Sequence, residues 1–309
     1  MKRVLIYGDP HLSSKNHGSH RDYPKESLSY YTSIMDLAES SHANMVISLG
    51  DFTFGRFNDL SYRIEVEKQL DRVKGIHYML KGNHDVMTDG ITEYDYYLAR
   101  GMFYNATEVS LAGHKIQMFN WGEPIEFKED TSIALVHDYV RYTNTALPMY
   151  GNKYINLDEV NLPDSLEYII AGHIHGQHMF GRGNTNAKPI VHYVGCNSRP
   201  SYIHGQMPDV GKVVVVDLYD TSDGDDERKI DYQIVDIPLW NLDESFNLEE
   251  IASKDADKLE KANKVDLTEI VEELNSHERI SGDPLVIVDT LEVDNVYKEK
   301  AKEYLMRAM

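Results

Sequence analysis

Carboxylates and imidazoles recur in this chain at spacings that can hold metal ions. Asp9 and His11 stand two residues apart, and Asp51 follows Gly50. Asn83 and His84 lie in the run Gly82-Asn83-His84-Asp85, His137 stands by itself, and His173 and His175 are again two apart. Alternate residues of an extended segment share a face, so each two-apart pair can offer both donors to one side. Carboxylate, imidazole and amide oxygen are hard or borderline donors suited to Mn, Fe, Zn or Mg, and no thiolate accompanies them in these blocks. The chemistry such a set supports is hydrolytic. Two ions held roughly 3.5–4 Å apart clamp a phosphoryl group and acidify a water so that it attacks near neutral pH.

On this reading Asp9 and His11 grip a first ion and Asp51 bridges to a second. Asn83, His137 and His173 complete the second ion, and His175 returns to the first. His84 adjoins a ligand without needing to be one, so it is cast as the general acid for the leaving oxygen or as a phosphate contact. Asp85 is then the carboxylate that orients it. Taken singly, each block is ordinary turn chemistry. Five in this order, each after an apolar run, are not. Arg56 and His178 are further candidates for substrate contact, and Arg182 and Arg199 could hold phosphate as planar forks. His17, His20, His42, His77, His114, His192, His204 and His277 lack ligand spacing and read as surface or core residues. The single cysteine, Cys196, reads as a small buried hydrophobe.

Positioning these loops requires strands that end at them. Residues 3–7, 45–49 and 77–80 are short apolar runs, each stopping at a ligand block, and 27–40 and 62–73 read as helices of crossover length between them. Beyond residue 100, segments 115–120, 132–136, 168–171 and 190–194 read as strands, so the expectation is two sheets packed between helices, with ligands at strand ends. Val213 to Val216 closes this core, and a polar turn at 220–226 leads to a strand near 232–235. The texture then changes: 247–275 is charged and helical, 284–293 is extended and apolar, and 295–309 carries a last apolar stripe.

Composition narrows the setting. With 309 residues, 41% of them hydrophobic, the chain suits one large core and a smaller appendage. The start is too short in apolar residues for a signal peptide and no run is long enough to cross a membrane, so a cytoplasmic protein without membrane contact is expected. Net charge is −20, which disfavours a general nucleic-acid surface. The excess is uneven, however. Residues 1–216 carry 20 Lys+Arg against 25 Asp+Glu, whereas 217–309 carry 11 against 26. The part with the motifs is close to balanced, and bound cations would tip its site positive.

The order Asp-x-His, Gly-Asp, Gly-Asn-His-Asp, His, Gly-His-x-His resembles the calcineurin-like metallophosphoesterase superfamily over residues 1–217. The resemblance implies an α/β fold, a four-layer α/β-β/α sandwich, with two divalent ions, Mn being frequent. It implies Asp9, His11, Asp51 and His175 on one ion and Asp51, Asn83, His137 and His173 on the other. Asp9-Pro10-His11-Leu12, Tyr193-Val194-Gly195, and the run from Gly211 to Asp217 are similar to the SbcD-type DNA repair nucleases and their phage recombination-endonuclease relatives. That likeness implies DNA as substrate, an SMC-like ABC ATPase as partner, and a small α+β cap over 218–309 whose first strand is 231–238; it also allows a homodimer. The chain departs from those nucleases after Asp51, where Phe52-Thr53-Phe54-Gly55 has no acid or histidine, and in the acidity of its cap. The rival readings are a phosphatase or phosphodiesterase for small molecules or phosphoproteins, which the negative charge favours, and a catalytically quiet scaffold, which would not need the full ligand set.

Overall fold

Three apolar runs, Lys2–Tyr7 (β1), Met45–Ser48 (β2) and Ile76–Met79 (β3), lie side by side and parallel. They read as near-continuous hydrophobic stretches because both faces are covered. Along β1 the side chains alternate: Val4 and Ile6 face one apolar cluster, Leu5 and Tyr7 another. The computed structural model describes residues 1–16, 23–55, 57, 59–86, 91–145, 147, 154–182, 187–196, 210–220 and 229–238. Residue Arg56, the C-terminal segments 247–275, 284–293 and 295–309, and most of the expected cap lie outside them.

Helix Tyr23–Ser40 (α1) starts four residues earlier than its apolar stripe suggests, because Pro24 is tolerated in a first turn where no N–H is needed. Helix Leu60–Arg72 (α2) starts two residues early, where Asp59 caps it by accepting the Ser61 N–H. A short helix at Glu93–Ala99 (α3), not anticipated from periodicity, is fixed by a reciprocal Thr92–Asp95 capping box. These helices cover the outer face of the first sheet around Tyr31, Ile34, Val66, Phe52 and Phe103.

The second sheet has six strands. Glu108–Leu111 (β4), His114–Phe119 (β5), Thr131–Val136 (β6), Tyr168–Ala171 (β9), His178–Phe180 (β10) and Ile190–Tyr193 (β11) take the order β10-β11-β9-β6-β5-β4. Ile116, Met118, Ile133, Leu135 and Ile170 meet Val4, Ile6, Ile47, Val214 and Val216 of the first sheet, so the two sheets share one dry interior. The α/β sandwich is therefore the observed class. Among the described residues, though, the layer outside the second sheet is not helical. Tyr139, Tyr142, Leu147, Leu157 and Leu166 cover it from the long connection 138–166, which carries the small pair Val140–Arg141 (β7) and Ile155–Asn156 (β8).

The last two strands complete the first sheet. Val210–Leu218 (β12) runs antiparallel to β1, and Ile230–Pro238 (β13) pairs with β12 along its whole length. The first sheet thus reads β13-β12-β1-β2-β3. Residues 230–238 cover β12, which unpaired would leave an exposed apolar edge. No described helix is long and apolar enough to cross a membrane.

Candidate metal centre

The ligand blocks occupy the C-terminal ends of parallel strands from both sheets, where α/β sheets place their sites. Asp9 and His11 follow β1, Asp51 follows β2, Asn83 follows β3, His137 follows β6, and His173 and His175 follow β9. Asp9, His11, Asp51 and His137 are buried, while Asn83, His173 and His175 are half-buried. Asp9, His11, Asp51 and His173 all have positive φ, of 24°, 44°, 46° and 72°. Four non-glycine residues in that sparsely populated region mark a site whose shape is held against local preference.

The donors converge. His11 Nε2 lies 3.1 Å from His175 Nε2. Asn83 Oδ1 lies 3.2 Å from His137 Nε2 and 2.9 Å from His173 Nδ1. Asp51 Oδ2 sits between the groups, 3.8 Å from His11 Nε2 and 3.4 Å from His137 Nε2. Ligand atoms of Asp51, His137 and His173 fall within 4.8 Å of one another, as do those of His11, Asp51 and His84. His137 Nδ1 is 2.7 Å from the Leu49 carbonyl. A proton on Nδ1 donated there leaves Nε2 facing the site with its lone pair.

Charge makes the same point. Burial pushes the Asp9 carboxyl well above the usual carboxylate range, against the pull of His137. Burial would also raise Asp51, but His137, His11 and His84 hold it low. His137 is raised to about 10: burial opposes its charge, and Asp51 and Asp9 outweigh burial. His173 falls to about 4, first by burial and then by repulsion from His137. Both Asp9 oxygens are buried, with the His137 Nδ1 3.5 Å from Oδ1 as a charged neighbour, and a buried carboxylate of this kind is costly unless a cation is close. Two divalent ions fit this set: Asp9, His11, Asp51 and His175 would hold one, and Asp51, Asn83, His137 and His173 the other.

The remaining candidates divide. His84 is exposed at the mouth, its backbone N–H donating to Asp51 Oδ1 at 2.8 Å and its ring edge 5.0 Å from His11. Asp85 is buried and raised by burial to about 7, and its Oδ2 accepts the Gly82 N–H at 2.9 Å, which braces the turn that carries Asn83. The ring that packs on His84 is Phe54, 5.1 Å away. His178 opens β10 opposite Tyr193. Arg182 is exposed beside Asp158, at 3.3 Å.

Sequence reasoning passed over two neighbours of the site. Trp121, just past β5, lies 4.6 Å from the His173 ring and is 38% exposed. Cys196, just past β11, has its sulfur within 4.8 Å of ligand atoms of His11 and His175. The signal that could have found both is the one that found the ligands, a position following the end of a parallel strand.

The family profile for calcineurin-like phosphoesterases matches residues 2–177. Among solved structures, a dimetal phosphatase from Danio rerio is similar at 9% identity and a TM-score of 0.47, over 77% of this chain and 99% of that one. The phosphoesterase YfcE from E. coli gives 17% identity and 0.38, over 76% and 99%. Vps29 from Chaetomium thermophilum gives 11% and 0.33, over 78% and 100%. Curated proteins give no match.

Proposed function

The chain belongs to the calcineurin-like phosphoesterase family, and from that premise we propose that it hydrolyses phosphodiesters in DNA, as a nuclease of the SbcD type with manganese as the favoured ion. The family's metal-dependent phosphoester hydrolysis supplies the reaction class, with divalent ions that are typically two. The observation that carries the finer reading is the mouth of the site. Phe54 lies against His84, and the exposed Trp121 lies against His173. Flat rings beside a phosphate-binding centre are the surfaces on which unpaired bases stack. The likeness of Asp9-Pro10-His11-Leu12 and of the Gly211 to Asp217 run to the repair nucleases supports the same reading.

When bound, two divalent ions activate a water and neutralise charge building on the phosphoryl oxygens. The chain's own residues do the rest. Asp51 stands between the two ligand groups and sets their separation. The His137 contact to Leu49 fixes which nitrogen faces the site. His84, exposed and tethered through its backbone to Asp51, can hand a proton to the leaving oxygen. That proton serves any phosphoester whose leaving oxygen is an alkoxide, a poor leaving group until it is protonated.

We also infer a catalytic unit running to Pro238 and an acidic appendage over 239–309 that docks an SMC-like ABC ATPase in the cytoplasm. Co-purification of the ATPase with the full chain, and its loss on truncation after Trp240, tests that partner. One observation favours the rival phosphatase reading: the net charge of −20 is poor for a DNA surface. The full chain with Mn, offered labelled linear DNA, circular DNA and a nitrophenyl phosphomonoester, separates the two. Cleavage of DNA is expected. Turnover of the monoester alone would transfer the site to small substrates.

A further inference from the structure

One buried nucleophilic side chain at the centre has no part in the mechanism above. Cys196 is fully buried where β11 ends, and β11 runs parallel to β9, whose end carries His173 and His175. Its backbone N–H donates to the His175 carbonyl at 3.0 Å, and its Sγ–H donates to the Asp9 carbonyl at 3.2 Å. The cysteine is thus fastened to both loops that supply the first ion. Gly195 sets the approach, since at a φ of 88° a Cβ there would lie 3.0 Å from the His175 carbonyl oxygen and 2.8 Å from Gln177 Cγ.

Two features at this place suit a cation. His11 Nε2 and His175 Nε2 face one another at 3.1 Å, and both Asp9 carboxylate oxygens are buried. The sulfur and one ligand nitrogen from each of His11 and His175 lie within 4.8 Å of one another, so Sγ shares the same small volume. A purely structural thiol would serve as well anywhere in the interior. This one sits against the ligands.

The geometry points to Cys196 Sγ as a thiolate ligand of the first ion, making that position selective for a thiophilic divalent cation, zinc, ferrous iron or cadmium, over magnesium. This rests on the two-ion reading and deepens it. On ligation the S–H bond breaks, the proton passes to solvent and a sulfur lone pair binds the ion; nothing is oxidised or reduced. Soft thiolate donors select such ions, whereas the second position, with Asp51, Asn83, His137 and His173, keeps harder donors that suit manganese. A centre with two unlike positions follows.

The chain contains one cysteine, so a sulfur-to-metal charge-transfer band reports on Cys196 alone. Metal-free full-length protein is titrated with cadmium while ultraviolet absorption and bound-ion stoichiometry are read from the same sample. The band should grow with one of the two ions bound. In Cys196→Ser and Cys196→Ala the band should vanish while one site loses about 10–100-fold in cadmium affinity, with magnesium affinity little changed. Two cadmium ions bound to the wild-type chain without a band overturn the cysteine ligand and leave the two-ion reading standing. Failure of the wild-type chain to bind two ions removes both. If neither variant folds, the wild-type titration still decides.

Discussion

A methyl group on Gly82 should cripple the centre without touching a single ligand. A Cβ built there lies 2.1 Å from Asp51 Oδ1 and 2.3 Å from the Asp51 backbone nitrogen, where real contacts stay above 3.0 Å. Moving from 2.1 to 3.0 Å asks for about 0.9 Å of separation between the Gly82 turn and Asp51. Swinging the Asp51 side chain clears only its oxygen, and that oxygen is held by the His84 N–H at 2.8 Å. The amide nitrogen still collides, so the backbone must shift. Asp51 is the residue between the two ligand groups, and Asn83 adjoins Gly82, so the shift changes the spacing on which both ions depend. A misplacement of about 1 Å typically costs 10²-fold in rate, about 2.7 kcal/mol of transition-state stabilisation. Overpacking a filled site costs about 1–3 kcal/mol in stability, which a domain of this size should survive. Gly82→Ala should therefore show a cooperative unfolding transition, reduced metal content and kcat down about 10²-fold on a nitrophenyl diester. A variant that binds two ions and turns over at the wild-type rate would refute the idea that this close approach sets the geometry.

Asp51→Asn should lower bound metal and activity together, because it removes the one carboxylate shared by both ligand groups; elemental analysis showing two ions at normal turnover would count against the bridge. His84→Ala should keep both ions while turnover falls by about 10²–10⁴-fold, the usual worth of a general acid, and loss of metal in that variant would make His84 a ligand instead. Metal uptake should release protons. In the metal-free protein Asp51 and Asp9 overcome burial and hold His137 protonated up to about pH 10, yet only the neutral ring can bind an ion. Apparent affinity should then rise with pH toward that value and weaken below it. Calorimetry in buffers of different ionisation enthalpy checks this, and uptake with no proton release would show that His137 is already neutral.

The ligand loops were legible because each follows a short, largely apolar strand, buried on both faces in β1, β2 and β6. Val4 to Tyr7 are apolar without a break and Met45 to Ser48 are all buried, so the carboxylate that soon follows each run, Asp9 or Asp51, marks the strand end as well as the site. Periodicity alone erred where local chemistry overrode it. Pro24 lets α1 begin ahead of its stripe, and Thr92 with Asp95 closes a seven-residue helix too short for any stripe to show. The strand at 230–238 raises a different question. Whether 230–238 starts a new unit or adds a strand depends on pairing with β12, and a strand's own residues do not say which neighbour it will have.

The same distinction separates the site residues that could be read from those that could not. Asp9 with His11 and His173 with His175 announce themselves as donor pairs two apart, although positive φ at Asp9, His11 and His173 means that a bent loop, not an extended strand, presents them. Asp85 reads as the partner of its neighbour His84, and its contact with the Gly82 N–H is a feature of the fold that the sequence does not announce. Cys196 and Trp121 have no sequence neighbour of matching chemistry, so their place at the centre arises only when β11 and β5 align with the strands that carry the histidines. Donor identity is thus a local property of the chain. The company a donor keeps is set by sheet order, and in this fold sheet order brings a soft sulfur to a centre whose local motifs are all oxygen and nitrogen.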